Sequence, residues 1–176
     1  MKIAGEIIGI IGIIVNFLIY QQNDRKKVLR VKLLSDLTWA LHYGLLFAFS
    51  GMAVTLIGAT RETTFILTDD KEKGRKYYLV AFALIAIVTS LFTMKDIFGL
   101  LPAFASLVAV ISYWQKNPLV TKLLGIPIAT SMLIYDIMRF SITGLINEIL
   151  TFISIAVSLT VILINKKTKN KNLKPE

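Results

Sequence analysis

The sequence predicts an all-α polytopic membrane protein with seven transmembrane helices, built as two parallel three-helix units joined by a linker helix. Three observations lead there: an apolar composition, seven apolar runs of spanning length, and basic residues gathered in alternate connections. Of 176 residues, 55% are hydrophobic and 18% charged, and the mean hydropathy is +0.68. Soluble domains carry about a quarter charged residues, so this chain cannot clothe one soluble domain of its size. It reads as a single membrane domain.

A span needs roughly 17 to 25 apolar residues. The first run, 3–20, follows Lys2 and superficially resembles a signal peptide; it lacks a small-residue cleavage site and more spans follow, so it is expected to stay as the first helix. The second run, 31–49, is entered through Arg25, Lys26, Lys27, Arg30 and Lys32. The third, 52–67, is short and contains Arg61 and Glu62; without it six spans would place both termini on one side. The fourth, 77–94, follows Lys71, Lys73, Arg75 and Lys76 and is the expected linker. The fifth and sixth, 97–114 and 119–138, enclose Lys116 and Lys122. The seventh, 143–164, leads into a polybasic tail, 165–176.

Lys and Arg accumulate in short cytoplasmic loops. If all seven runs cross, those three basic groups and the tail hold 16 of the 20 basic residues on one side, with Lys2, Lys95 and Arg139 on the other. The bias favours seven crossings, N-terminus outside and C-terminus cytoplasmic. The net charge of +9 therefore points to the bilayer and its anionic lipids as partners, not to nucleic acid. The absence of cysteine excludes disulfides and thiolate chemistry. One histidine, His42, cannot build a multi-histidine metal site, and no nucleophile triad or nucleotide-binding glycine pattern is visible. No catalytic residue, metal or cofactor is expected. Asp69 and Asp70 read as solvated loop charge.

Slid against itself by 94 residues, the chain pairs Gly5 with Gly99, Tyr20 with Trp114, Gln21 with Gln115, Asn23 with Asn117, Leu29 with Leu123, Ser50 with Gly144 and His42 with Asp136. This lays 3–67 onto 97–164 and leaves 77–94 between them. Such a 3+1+3 arrangement resembles the SWEET sugar transporters. The Pro-Gln pair of the related PQ-loop proteins is absent, and proline hinges are available only in the second unit, at Pro102 and Pro127.

Polar residues inside a bilayer tend to face a cavity or a partner. Asp36 and Arg61 fall at matching depths, about 7.5 and 9 Å from the cytoplasmic edge at 1.5 Å per residue, and an Asp36–Arg61 ion pair is expected; the alternative is that Arg61 snorkels. Glu62 looks a poorer partner, because adjacent helical residues point about 100° apart. His42 and Glu148 are expected in one outward vestibule, unless His42 is simply packed among Trp39, Tyr43 and Phe47. Asp136 and Arg139 read as an interfacial i,i+3 pair. Asn147, Thr151, Ser154 and Ser158 make one polar stripe that either ties helices or lines a cavity. Gly5, Gly9 and Gly12 form a packing face ending at Asn16. Trp39, Tyr43 and Trp114 are anchors, or platforms for a sugar.

HYGLL at 42–46, ATRETT at 59–64 and SITGLINE at 141–148 resemble the YgjV family of bacterial inner-membrane proteins. The family pattern has a histidine ahead of a Leu-Leu pair, an arginine in the third helix and a glutamate late in the second half, which His42, Arg61 and Glu148 match. Tyr135-Asp136 departs from the more aromatic, amide-bearing stretch that the pattern implies. The resemblance implies a location in the bacterial plasma membrane. The function expected is carriage of a small polar solute by alternating access. Asn16, His42, Asn147 and Thr151 would bind it, Asp36 and Arg61 would gate it, and Glu148 would couple or gate. The alternative is a non-transporting assembly or partner-binding protein. A homo-oligomer stays open under either.

Overall fold

The computed structural model describes residues 2–69, 72–94 and 96–171, and these are helical apart from short connections. Lys71, the side chains of Lys73 and Arg75, and the tail side chains from Lys167 onward lie outside the described residues, and with them most of the expected polybasic end. Seven helices follow in order: α1 (Lys2–Gln21), α2 (Arg25–Leu45), α3 (Phe49–Leu67), α4 (Glu72–Thr93), α5 (Leu100–Trp114, after a 3-10 turn at Ile97–Gly99), α6 (Pro118–Met138) and α7 (Ile142–Lys171). Among the described residues, four stretches are long and apolar enough to cross a membrane: Ile3–Gln21, Ile97–Trp114, Pro118–Met138 and Ile142–Lys166. The apolar part of α4, Lys76–Phe92, is shorter. α2 starts well before the apolar run because Asp24 caps it, its carboxylate accepting from the Lys27 N–H at 2.9 Å, so the basic turns are helical too.

The polarity of the molecule is inverted. Among the described residues, 13 hydrophobic side chains are buried against 15 polar or charged ones. Outside, large apolar side chains such as Ile3, Ile10, Phe92 and Ile142 stand exposed. Water would penalise that exterior, whereas lipid matches it and leaves polar groups to satisfy one another within.

The two halves repeat at 93 residues, one less than residue identities indicate. The caps show it: Asp24 and Asn117 cap α2 and α6, Leu46 and Arg139 end them, and Phe47 (φ 58°) and Phe140 (φ 53°) take the left-handed conformation beyond. In both copies the residue after that phenylalanine reaches back five, Ala48 N–H to Tyr43 O and Ser141 N–H to Asp136 O, each 2.9 Å. These are Schellman closures at equivalent places. Of the two prolines expected as hinges, Pro127 lies inside α6, whereas Pro102 falls in the first turn of α5, where a missing N–H breaks no helical bond.

α2 packs between α1 and α3, α6 packs between α5 and α7, α1 also meets α7, and α4 lies mainly on α5. The α1–α2 contact is made by the glycine face: a Cβ on Gly9 would come 2.8 Å from His42 Nδ1, and one on Gly12 3.1 Å from the Trp39 ring. A bulky side chain at Gly9 must push the helices apart. Gly9→Leu is expected to destabilise by about 1–3 kcal/mol, read as a lower midpoint in thermal unfolding of the detergent-solubilised protein; an unchanged midpoint would show that α1 does not pack there.

Candidate functional site

A cavity of about 810 Å³ lies between the halves. It exists because one of two equivalent interfaces is parted. In the repeat, α5 corresponds to α1 and α3 to α7; α1 packs along α7, but α3 and α5 scarcely touch, and α4 side chains such as Phe82 and Ala86 border the gap. The cavity wall runs from Tyr20 and Tyr113 at one end to Met94, Gly99 and Arg139 at the other. The Tyr end holds the hydrophobic core, including Ile19, Leu29, Phe65 and Val110.

One wall is polar. Asn16 Nδ2 donates to Asn147 Oδ1 and to Thr151 Oγ1, both at 3.1 Å, and Asn147 Nδ2 donates to Glu148 Oε1 at 2.9 Å. All four side chains line the cavity. The polar stripe of α7 therefore divides. Asn147 and Thr151 face the cavity, while Ser154 donates to Phe17 O at 2.5 Å and receives Gln21 Nε2 at 2.8 Å, and Ser158 receives Lys122 Nζ at 2.7 Å. The lower half ties helices together.

The floor is a charge cluster wired differently from the expected Asp36–Arg61 pair. Both residues line the cavity, but Arg61 donates through Nε and Nη2 to Glu62 Oε1 at 3.0 and 2.8 Å, and Asp36 Oδ1 accepts from Lys32 Nζ. The 100° between neighbours does not forbid the Arg61–Glu62 contact, because the long guanidinium side chain curls back across it. Lys32 and Arg61 both stand over the Tyr113 ring, 5.6 and 5.5 Å from its centre. Gly58 lets Asp36 lie against α3, with a Cβ there only 2.5 Å from Asp36 Oδ2.

Two further expectations are corrected. His42 does not share a vestibule with Glu148. It is buried against α1, where its Nδ1 donates to Gly5 O at 2.8 Å, and it is not among the cavity-lining residues. Arg139 does not pair with Asp136; its guanidinium reaches both Asp96 oxygens at 2.8 and 2.7 Å across the rim. Of the aromatic candidates, Tyr43 lines the cavity, Trp39 covers Gly12, and Trp114 packs on the core.

The closed end is sealed by residues that sequence reasoning treated as loop cations or left unweighed. Tyr20 reaches Gly125 of α6, where a Cβ would lie 2.5 Å from Cε1, and its repeat counterpart Tyr113 reaches Lys32 of α2. Lys122 is 1% exposed and donates to Asn23 Oδ1 at 2.6 Å as well as to Ser158. Arg25 holds Asp69 at 2.8 Å and donates to the carbonyls of Trp114, at 3.3 Å, and Gln115 at the end of α5. At an offset of 93, Tyr20 falls on Tyr113 and Gly51 on Gly144, the signal that could have revealed the seal.

No curated protein and no solved structure matches the chain. A family model described as bacterial inner membrane protein matches residues 3–166. This span takes in nearly all of the seven helices, with both walls of the cavity and its sealed end, so the chain belongs to the Imp-YgjV family of bacterial inner membrane proteins.

Proposed function

We propose that this inner-membrane protein is a carrier that moves a small polar solute by alternating access, with the solute held between the two repeats. The observation that carries the reading is the parted α3–α5 interface opposite the packed α1–α7 interface. Two equivalent contacts, one closed and one open, are what a two-state rocker needs. The cavity has the size of small-molecule sites, about 300–1,000 Å³, and Asn16, Asn147, Thr151 and Glu148 provide its polar contacts.

In this reading all seven helices cross, and the sealed end with Arg25, Lys32 and Lys122 faces the cytoplasm, in keeping with the positive-inside bias. The pairs Lys32–Asp36 and Arg61–Glu62 form the floor of the outward-facing state. His42 serves helix packing, and no catalytic step is assigned. The polar ties Gln21–Ser154 and Lys122–Ser158 favour the second reading, a non-transporting assembly protein whose interior only knits helices. The two readings separate on access.

The chain has no cysteine, so a single Thr55→Cys on the cavity wall gives an unambiguous label site. A carrier is expected to expose it to a membrane-impermeant thiol reagent from both faces, in right-side-out and inverted vesicles. Labelling from one face only would sink the carrier and leave the assembly reading.

A further inference from the structure

The charged residues on the cavity wall are Lys32, Asp36, Arg61, Arg139 and Glu148. Each cation has its own carboxylate: Lys32 has Asp36, Arg61 has Glu62, and Arg139 has Asp96. Glu148 is the remainder. It is 8% exposed, and its hydrogen bond among the described residues comes from a neutral amide, Asn147. From α6 the charge acting on it is another carboxylate, Asp136, and from α1 the neighbour is the neutral Tyr20 phenol. A carboxylate buried inside a membrane protein holds its negative charge only against a positive partner.

The other carboxylate on the wall, Asp36, is already taken: Oδ1 accepts from Lys32 and Oδ2 lies against Gly58 of α3. The cavity, about 810 Å³, is far larger than a bare metal ion requires, and Tyr20, Tyr43 and Tyr135 on its wall add aromatic surface suited to an alkylammonium.

We propose that the cavity takes a small organic cation, a primary or quaternary ammonium compound, with its charged nitrogen against Glu148. This names the solute class of the carrier reading and rests on that reading for the movement that follows binding.

Thermal unfolding of the full chain in detergent tests it, because a ligand of the native state raises the midpoint by mass action. Ethanolamine and choline at about 10 mM are expected to raise the wild-type midpoint by about 3 °C, with sodium chloride of equal ionic strength, glucose and sodium acetate giving no shift. Glu148→Asp should keep part of the shift and Glu148→Gln none. Should Glu148→Gln fail to fold, Asn147→Ala decides in its place, with the amine needed at about tenfold higher concentration because the carboxylate is no longer held. The proposal is overturned by amines that give no shift, by a shift that survives unchanged in Glu148→Gln or Asn147→Ala, or by stabilisation with glucose or acetate alone. A glucose shift would leave the carrier standing with a neutral solute. Amine binding with one-sided labelling of Thr55→Cys would instead retain the cation site and remove the carrier.

Discussion

Arg61→Gln is expected to lower stability by about 3–5 kcal/mol, the magnitude seen when one member of a buried ion pair is removed. Arg61 is the cation bound to Glu62, whose side chain is fully buried, and the Glu62 Oε2 atom already lacks a hydrogen-bond partner. Without the guanidinium the carboxylate has no direct counter-charge and no route to solvent. The same loss deprives Tyr113 of one of its two cations. A charge-free pair, Arg61→Met with Glu62→Leu, is expected to recover most of the loss, since desolvating both ions offsets much of their attraction.

Unfolding midpoints of Arg61→Met, Glu62→Leu and the double variant form a cycle. A coupling near zero would show that the pair does not hold the floor. A parallel cycle with Asp36→Asn in the Arg61→Gln background is expected to show weaker coupling, because Asp36 is held by Lys32 from one turn away on α2. The reverse order would restore the Asp36–Arg61 pair that depth along the helices suggests.

Helices, and the residues of the polar wall, could be read from the sequence because periodicity and composition report them directly. The run 119–138 and α6 differ by one residue at the start and agree at the end, since Asn117 and Pro118 mark the entry as plainly as Arg139 marks the exit. Asn147 and Thr151 share one face of α7, as their i,i+4 spacing implies. What could not be read is which side chain reaches which. Depth put Asp36 and Arg61 at one level, but depth has no azimuth, and closer carboxylates and ammonium groups took both partners. Depth put His42 level with an outer vestibule, yet the gap left by Gly5 and Gly9 on α1 claims it.

The repeat illustrates the same limit. Identities such as Gln21 with Gln115 favour 94 residues, but side chains drift between copies while backbone closures do not. The Schellman bonds after Leu46 and Arg139 fix the spacing at 93. Only in that register does Tyr20 meet Tyr113 and the seal become visible as one device used twice.

The second large effect is expected at the seal itself. Arg25 belongs to the first unit, yet it donates to the carbonyls of Trp114 and Gln115, which end α5 of the second, and it holds Asp69 after α3. Charged hydrogen bonds contribute about 1.5–3 kcal/mol each, and the guanidinium also meets the negative end of the α5 dipole. Loss of about 2–3 kcal/mol from the state closed at this end shifts the balance toward the opposite state by roughly 30- to 150-fold, at 1.4 kcal/mol per decade. Arg25→Gln is therefore expected to increase labelling of Thr55→Cys from the Arg25 side and to decrease it from the Arg139 side. Arg139→Gln provides the control. Its bond to Asp96 lies at the open rim and is about two-fifths exposed at both partners, so solvent screens it and its removal should change neither rate more than about twofold. If both variants changed labelling alike, or if Arg25→Gln only lowered the unfolding midpoint, the clasp would be a fastening of the folded bundle and not one side of a switch.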